Sequence, residues 1–358
     1  MKIGVAGWFG YDNPGDDLIL NNFLKTFKRN NVVVFTTSVR SAEAVKQKFG
    51  LETYTPKDIP IVDIDALIFG GGGVLTDMFI EANFPKKLIK KVKCPVLLIG
   101  VGIPSGEGIT LVSHKIDYFI NKVCFFGFRD FVTKYIFNSL WDKPAFIFPD
   151  LGFLTQKVDV NKTDTFLLQH KLGVSYEFRN LTPANYSELS TDQFVLLFKE
   201  LKRKKLNPKF LKWQDFDKVT SEIAKAKWII TTSLHAGIIA ITQSTPFIAL
   251  HYINKVSDVL SLVVDQNRLV YPDKIYDVNK FVPLNYSKIE LEKLFKLKCY
   301  LEESLLLLQK SLQKNRLEGF VLKEFPFAPP FIHKSFLYGG PKPRFIRKMI
   351  NRIKLFSS

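Results

Sequence analysis

Short apolar runs alternate with helical stretches along most of this chain, and that alternation constrains the fold more than any other feature. Each run has the length of a strand and ends in glycine or polar residues, and the stretches between the runs carry apolar residues at helical spacing. This order of elements is typical of parallel strands that are buried on both faces and covered by helices. The sequence therefore predicts an α/β fold with doubly wound sheets. The predicted strands are residues 2–7, 32–37, 66–69, 95–101, 123–128 and 145–148, then 165–168, 208–211, 228–232 and 246–250.

The two series of strands predict two Rossmann-like domains that face a cleft, the arrangement also seen in two-domain GT-B glycosyltransferases. A chain of 358 residues with 46% hydrophobic residues is long enough for two buried cores. We place the first domain at 1–155 and the second at 156–285, with the polar stretch 156–164 as the linker. We expect residues 286–358 to form a helical extension, in which leucines at helical spacing predict a helix over 287–316 that packs across the body.

One histidine lies where a parallel sheet can place chemistry. The apolar residues 228–230 lead into the sequence TTSLHAG at 231–237, and a second apolar stretch follows at 238–241. This pattern predicts a strand, a short polar turn and a buried helix, so that His235 lies at the carboxyl edge of the sheet, where helix amides converge and anionic ligands bind. Because imidazole exchanges protons near neutral pH, His235 is a candidate catalytic residue. A histidine that only caps the helix or hydrogen-bonds in the core fits the same pattern.

Glycine-rich turns lie near three further predicted strands. Gly15 opens a helix after the first strand and its loop, four consecutive glycines including Gly71 and Gly72 follow the strand 66–69, and Gly102 follows the strand 95–101. A glycine has no Cβ, so backbone amides at these turns can approach a ligand closely, although tight turns and helix packing also require glycine. Taken together, the turns predict several open backbone edges on one side of a sheet.

In their order along the chain, these motifs resemble the polysaccharide pyruvyl transferase family. The resemblance runs from residue 1 to about residue 265, and the ordered set is more specific than any single motif. Many family members carry an arginine two residues before the histidine, where this chain has Ser233. The matching segments are GYDNPGDD at 10–17, GGGGVLTD at 70–77, GVGI at 100–103, FRD at 128–130, FPD at 148–150, SLHA at 233–236 and the spacing of Tyr252 and Lys255.

The resemblance implies transfer of pyruvate from phosphoenolpyruvate to two hydroxyls of a sugar, which forms a cyclic ketal and releases phosphate during cell-surface glycan biosynthesis. The donor carries a phosphate and a carboxylate, so its pocket is expected to supply fixed cations and oriented amides. The acceptor sugar could be carried on a nucleotide, a lipid or a polymer. The expected substrate-binding residues are Arg129, Lys255, Ser233, Gly15, Gly71, Gly72 and Gly102.

The implied reaction begins when the methylene carbon of the donor is protonated, which makes the neighbouring carbon electrophilic. His235 is the expected general acid. The base is expected to be the same imidazole in its neutral form, or a carboxylate such as Asp16 or Asp17, which would otherwise only stabilise the start of a helix. Arg129 could equally pair with a neighbouring aspartate, and Lys255 could be solvated at the surface. The sequence shows no cluster with metal-ligand spacing, so we expect no metal and no cofactor beside the co-substrate phosphoenolpyruvate.

The net charge of +17, from 51 Lys+Arg against 34 Asp+Glu, suggests an anionic partner. No nucleic-acid-binding motif accompanies the charge, so we expect no nucleic acid partner. Much of the excess lies at the end of the chain, because residues 325–358 contain no acidic residue. Residues 344–356 interleave basic and apolar side chains at helical spacing, which predicts an amphipathic helix on an anionic membrane surface. A solvated tail, or a helix that packs back on the body, fits equally well.

The remaining features predict a cytoplasmic protein that could also lie at the inner face of the plasma membrane. Three widely spaced cysteines form neither a metal pattern nor a disulfide framework, the first residues already form a strand, and no apolar run approaches the ~20 residues of a membrane span. Two other functions remain open. One is a GT-B-type glycosyltransferase that uses a nucleotide sugar, because glycine loops and a basic cleft suit a diphosphate. The other is a non-catalytic scaffold that binds an anionic glycan or a membrane.

Overall fold

A computed structural model describes the protein over residues 1–11, 13–103, 105–106, 109–110, 112–169, 198–213, 215–250, 254–270, 285–314 and 321–327. Its first sheet contains seven parallel strands in the spatial order β3-β2-β1-β4-β5-β8-β9, which confirms the predicted doubly wound arrangement. A separate antiparallel pair, β6 and β7, follows β5. The strands are β1 (Ile3–Ala6), β2 (Val32–Phe35), β3 (Glu52–Tyr54), β4 (Ala66–Gly70), β5 (Val96–Val101), β6 (Ser105–Gly106), β7 (Ile109–Thr110), β8 (Val123–Phe128) and β9 (Phe146–Ile147).

The helix α1 covers the first sheet and begins at the carboxyl edge of β1. The Asn13 side chain caps it by accepting a bond from the Gly15 amide, and Pro14 at its first position has the fixed backbone angle that a helix start requires. The apolar side chains of α1, such as Phe23, are buried in the core between the helix and the sheet. The helices of this part of the chain are α1 (Pro14–Phe27), α2 (Val39–Phe49), α3 (Asp77–Asn83), α4 (Lys86–Ile89), α5 (Asp117–Ile120) and α6 (Phe131–Leu140).

The second sheet contains five parallel strands in the order β11-β10-β12-β13-β14. Its central strands are apolar and buried on both faces, as the continuous apolar runs predicted. The strands are β10 (Thr165–Gln169), β11 (Asn207–Phe210), β12 (Trp228–Thr231), β13 (Phe247–Leu250) and β14 (Leu269–Val270), and the helices are α7 (Phe216–Lys225), α8 (Leu234–Thr242) and α9 (Asn254–Leu260).

A short 3-10 helix at Leu151–Leu154, here called the linker helix, leaves the first sheet and packs against both α1 and α8. The Asn22 side chain of α1 donates to the Leu151 carbonyl at 2.8 Å, and the Gln243 side chain at the end of α8 donates to the Gln156 carbonyl at 2.9 Å. The segment 151–156 is therefore bonded to both halves of the molecule.

The long helix α10 (Lys288–Gln313) lies across both halves. At its start, Glu290 pairs with Arg268 at 2.8 Å beside the second sheet. Further along, Lys298 donates to the Thr155 carbonyl at 3.2 Å, and the Tyr300 hydroxyl donates to the Ile147 carbonyl of β9 at 2.8 Å. The predicted helix over 287–316 is thus close to the observed one, and it holds the two sheets together.

The structure adds strands that the sequence pattern did not predict, among them β3 and β14. Both are short edge strands without a full apolar run, so their pairing depends on a neighbouring strand. The strands of the first sheet end at residue 147 and those of the second begin at residue 165, while the domain limits given above stay predictions. Tyr252 and the tail 344–356 lie outside the described residues. Within the described segments, no helix is both long and apolar enough to span a bilayer.

Candidate active site

His235 lies in the first turn of α8, directly after the carboxyl end of β12. The predicted strand, turn and helix are therefore the observed ones. The cap of α8 is Ser233, whose hydroxyl accepts a bond from the Ala236 amide at 3.5 Å, while the Gly237 amide donates to the Ser233 carbonyl at 3.1 Å. Capping accounts for Ser233 and leaves the His235 imidazole, which is 8% exposed, available for another role.

Gly15 brings the start of α1 against this imidazole. A Cβ built at Gly15 would overlap the His235 ring at Nδ1, so a residue with any side chain would displace the ring. Since Gly15 is in the first turn of α1 and His235 in the first turn of α8, the N-termini of two helices from different sheets meet here. Both helix dipoles are positive at this end, and the crevice between them favours an anion.

Asp150 contacts the other side of the ring. Its Oδ2 lies 3.5 Å from His235 Nε2, an ion-pair distance slightly too long for a good hydrogen bond, and its Oδ1 accepts from the Gly152 amide at 2.8 Å. Burial of this fully buried carboxyl group opposes its ionisation, but His235, the Gly152 amide and the Arg129 charge outweigh that effect and lower the pKa of Asp150. Asp150 is therefore a carboxylate at neutral pH.

Arg129 follows β8 and is almost completely buried, with 2% of its surface exposed. Its Nε donates to Asp130 Oδ2 at 3.3 Å, and Asp130 is itself fixed because it caps α6 through the Thr133 amide at 2.6 Å. A Cβ at Gly102 would overlap the guanidinium, so glycine is needed at that position for Arg129 to lie where it does. The side chain is thus held rigidly at one end.

Arg129, Asp150 and His235, here called the crevice cluster, each have a buried polar atom without a hydrogen-bond partner. Within the segments that the structure describes, these atoms are Arg129 Nη2, Asp150 Oδ2 and His235 Nε2. Leaving such a group unpaired costs roughly 1–3 kcal/mol, and more for charged groups. A cluster of this kind is typical of a ligand site, where stability is given up for binding or chemistry.

Lys255 lies on α9, which packs against β6 just beyond Gly102. One helical turn later, Asp258 lies near Arg129 and Asp130: burial and the charge of Asp130 raise the pKa of Asp258 well above its usual value, although Arg129 opposes the shift. The helix that carries Lys255 therefore borders the same crevice as Arg129. Lys255 itself is partly buried.

The two candidate carboxylates of α1 have different surroundings. Asp17 forms a 2.7 Å ion pair with Lys48, whose ammonium also lies over the Phe216 ring, so Asp17 contributes to packing between α1, α2 and α7. Asp16 accepts a bond from the Asn13 side chain, and its Oδ1 faces Gly72, where a Cβ would lie 3.3 Å away. Of the two, Asp16 is the one directed towards the glycine turn after β4.

Gly71 has a packing role in this turn. A Cβ there would come within 2.6 Å of the Ile19 side chain, so the turn can lie against α1 only because the residue is glycine.

Among the described residues, no group of His, Cys, Asp and Glu side chains is arranged to hold a metal ion.

The family model described as "Polysaccharide pyruvyl transferase" matches residues 13–254, about two thirds of the chain, and the match includes Gly15 and the whole crevice cluster. The chain belongs to the polysaccharide pyruvyl transferase family. No curated protein sequence matches it.

Solved structures show the same fold at low sequence identity. S. aureus MnaA, described in complex with UDP, is 10% identical, with 91% of this chain and 100% of that chain covered and a TM-score of 0.55. Anabaena Alr3699/HepE, described in complex with UDP-glucose, is 11% identical, with 88% and 99% covered and a TM-score of 0.54. The predicted GT-B-like arrangement of two Rossmann-like halves is thereby confirmed.

In this family member, the sequence did not predict Asp150 as the partner of His235, although Asp150 ends the FPD segment at 148–150. The available signal was a carboxylate directly after the last strand of the first sheet, at the edge where His235 was also expected.

A second residue that the sequence analysis missed is Gln169, at the end of β10. The Ser233 amide donates to the Thr231 hydroxyl at 2.9 Å, and that hydroxyl donates to Gln169 Oε1. These two hydrogen bonds fix the orientation of the Gln169 side-chain amide, whose Nε2 has no hydrogen-bond partner among the described residues. A neutral donor is thus buried beside the turn that carries His235.

Proposed function

We propose that this protein transfers pyruvate from phosphoenolpyruvate to two hydroxyls of a sugar, forming a pyruvate ketal during the synthesis of a cell-surface glycan. The observation that carries the proposal is the crevice cluster: a buried arginine, a buried carboxylate and a buried histidine from both halves meet between the N-termini of α1 and α8. Family membership supplies the reaction class, and the cluster supplies groups suited to it.

The donor is a small anion with a phosphate and a carboxylate. In the proposed complex, Arg129 Nη2 binds one of them, since guanidinium groups form strong paired bonds to such anions. The other lies at the helix N-termini beside Gly15 and His235, with Lys255 as a second cation from α9. Burial of Arg129 strengthens its attraction for the donor, because water screens the charge less in this crevice.

His235 then protonates the methylene carbon of phosphoenolpyruvate, and the adjacent carbon becomes electrophilic. One sugar hydroxyl attacks that carbon and loses its proton. The second hydroxyl then bonds to the same carbon as the bond from that carbon to the phosphate oxygen breaks; its proton leaves with the inorganic phosphate, and the ketal is complete. The imidazole, neutral after the first step, is available as the base, and Asp16 is the better placed of the two carboxylates because Asp17 pairs with Lys48.

The acceptor in this proposal is a sugar on a nucleotide, a lipid or a polymer, and the reaction takes place in the cytoplasm. Three free cysteines are in keeping with a reducing compartment. The basic tail would hold the enzyme at the inner face of the membrane if the acceptor is lipid-linked. A nucleotide-sugar glycosyltransferase remains the alternative, favoured by the fold shared with proteins that bind UDP or UDP-glucose.

The deciding experiment incubates the full-length protein with phosphoenolpyruvate and a panel of glycan acceptors, and measures both phosphate release and the acceptor mass. We expect phosphate release that depends on the acceptor, together with a mass gain of one pyruvate ketal. His235→Ala and Arg129→Ala should lose this turnover, whereas His114→Ala, which changes an exposed histidine, should keep it. Nucleotide release from a nucleotide sugar, with phosphoenolpyruvate untouched, would support the alternative. Unchanged biological function in His235→Ala would support a scaffold.

A further inference from the structure

We infer that Asp150 is a positioning residue for His235: across the boundary between the two halves, its carboxylate orients the imidazole and determines which ring nitrogen carries the proton. This inference rests on the proposed function for its catalytic meaning, but its physical content concerns only the two side chains. Asp150 is not expected to touch the donor or the acceptor.

The contact between Asp150 and His235 allows only one assignment of donor and acceptor. Asp150 Oδ1 is used by the Gly152 amide, so Oδ2 is the oxygen that faces His235. A carboxylate only accepts, and therefore the nitrogen that faces it, Nε2, must carry a hydrogen. The 3.5 Å between Asp150 Oδ2 and His235 Nε2 is longer than a good hydrogen bond, as is common for catalytic pairs before a ligand binds. No other partner for Nε2 occurs among the described residues.

The position of Asp150 is fixed by the linker helix that it caps. The backbone at Gly152 lies between the two halves, because a Cβ there would lie 3.2 Å from Ile238 of α8 and 3.6 Å from Leu18 of α1. The Asn22 bond to Leu151 fixes the same turn to α1. A carboxylate held in this way can orient a histidine, since it has no freedom to follow the ring.

The surrounding charges leave Asp150 available to His235. The Arg129 charge lowers the pKa of Asp150, but Arg129 Nε donates to Asp130, and no direct Arg129–Asp150 bond occurs among the described residues. The Asp150 carboxyl stays ionised because its pKa is lowered despite burial. The other charged side chains on the helices that pack near His235 are Asp16, Asp17 and Lys25 on α1, Lys255 and Asp258 on α9, and Asp217, Lys218, Glu222 and Lys225 on α7.

One consequence concerns the reacting nitrogen. With Nε2 turned towards Asp150, Nδ1 is the nitrogen that exchanges a proton with the donor. The Nδ1 edge of the ring lies against Gly15 at the N-terminus of α1, where the donor anion is proposed to bind. The pair also crosses from Asp150, at the start of the linker helix, to the second half, so the oriented histidine exists only when the two halves have the spacing seen here.

The test labels the histidines of the full-length protein with 15N and reads the ring-nitrogen chemical shifts, which report the protonated nitrogen. His235→Asn identifies the His235 signals. In the wild type we expect the neutral His235 ring to carry its proton on Nε2, and in Asp150→Asn we expect that preference to be lost. Asp117→Asn is the matched control, because it removes the carboxylate 3.1 Å from the exposed His114 and should change the His114 signals alone. Unchanged His235 signals in folded Asp150→Asn would overturn the inference.

A second variant covers the case in which Asp150→Asn does not fold. His235→Asn removes a group that lowers the pKa of Asp150, so that pKa should rise, as followed by the 13C shift of the carboxyl carbon. An unchanged Asp150 titration would likewise reject the pairing.

Kinetics separate this inference from the proposed function. Asp150→Asn should lower kcat at least about tenfold, since losing the group that orients a catalytic histidine or ligand costs ~10-fold to ~10⁴-fold, while the KM for phosphoenolpyruvate changes far less. The double variant Asp150→Asn/His235→Ala should be no slower than His235→Ala. If Asp150→Asn changes the His235 signals but the wild type does not turn over phosphoenolpyruvate, the proposed function is rejected and the Asp150–His235 pair is kept. If the wild type turns over phosphoenolpyruvate but Asp150→Asn leaves the His235 signals unchanged, the pair is rejected and the function is kept.

Discussion

Gly15 and His235 show how a single missing methyl group shapes this site. The two residues are far apart in sequence, yet the imidazole occupies the space where a Cβ at position 15 would lie. Alanine is a better helix former than glycine, so helix propensity alone would favour a substitution here. Any loss of stability or turnover caused by alanine at position 15 therefore reports the contact with the His235 ring.

The variant Gly15→Ala tests this contact. We expect its free energy of unfolding, measured by urea denaturation, to fall by about 1–3 kcal/mol through overpacking, and phosphoenolpyruvate turnover to be lost because the ring is displaced. The double variant Gly15→Ala/His235→Ala should recover the stability but not the turnover. A Gly15→Ala protein with wild-type stability and activity would show that the contact is not tight.

Arg129 tests the geometry of anion binding. Lysine keeps the charge but lacks the planar fork of donors that arginine offers, so Arg129→Lys should weaken phosphoenolpyruvate binding about tenfold or more in isothermal titration calorimetry. Arg203→Lys is the matched control, because Arg203 is an exposed arginine that pairs with Glu200 at 2.7 Å. Equal binding by Arg129→Lys and the wild type would argue against a direct anion contact.

At the scale of elements, α10 is the helix that connects both halves, and its start depends on one buried ion pair. Burial opposes ionisation of Glu290, but the Arg268 bonds and the Ser287 and Asp265 amides outweigh it and lower the pKa of Glu290 to about 2. A lowered carboxyl pKa stabilises the folded state at pH values above the ordinary value of 4.5, and this contribution is lost as the pH falls from 4.5 towards 2.

Glu290→Gln should therefore be less stable than the wild type at neutral pH, and the difference should shrink as the pH drops through that window. Urea denaturation at a series of pH values measures both effects. Glu303 also lies on α10, but its ion pair with Lys323 is exposed. Glu303→Gln should therefore change the free energy of unfolding little at any pH. A constant difference between Glu290→Gln and the wild type across the window would contradict the assignment of the acid sensitivity to this pair.

At the scale of the whole molecule, part of the basic excess lies apart from the site of the proposed reaction. Residues 328–358 contain seven lysines and arginines and no acidic residue, whereas the crevice cluster contains a single arginine. A protein that ends at residue 327 should therefore lose binding to vesicles that contain anionic lipid and keep phosphoenolpyruvate turnover on a soluble acceptor.

Vesicle sedimentation measures this binding, with neutral-lipid vesicles and raised salt as controls that should each remove it for the full-length protein. If the truncated protein binds anionic vesicles as well as the full chain, the membrane contact lies elsewhere on the basic surface.

The sequence by itself determined the fold class and the edge of the sheets at which the candidate site lies. Strand and helix patterns are local, since they arise from side-chain periodicity within a few residues, and polar or glycine residues after a strand fall at its carboxyl end whatever the rest of the chain does. For this reason the strands around His235, the turn at Gly102 and the long C-terminal helix could all be predicted. The edge strand β3 could not, because it has no apolar run and its pairing depends on β2.

Only the tertiary structure decided which of these residues meet. The contacts of His235 with Gly15 and Asp150 depend on how the two halves pack, and no local pattern encodes that packing. Packing also gives the adjacent carboxylates of α1 different neighbours: Asp17 pairs with Lys48, while Asp16 faces the glycine turn. Distances between residues remote in sequence follow from burying both cores at once, and that is a property of the whole chain.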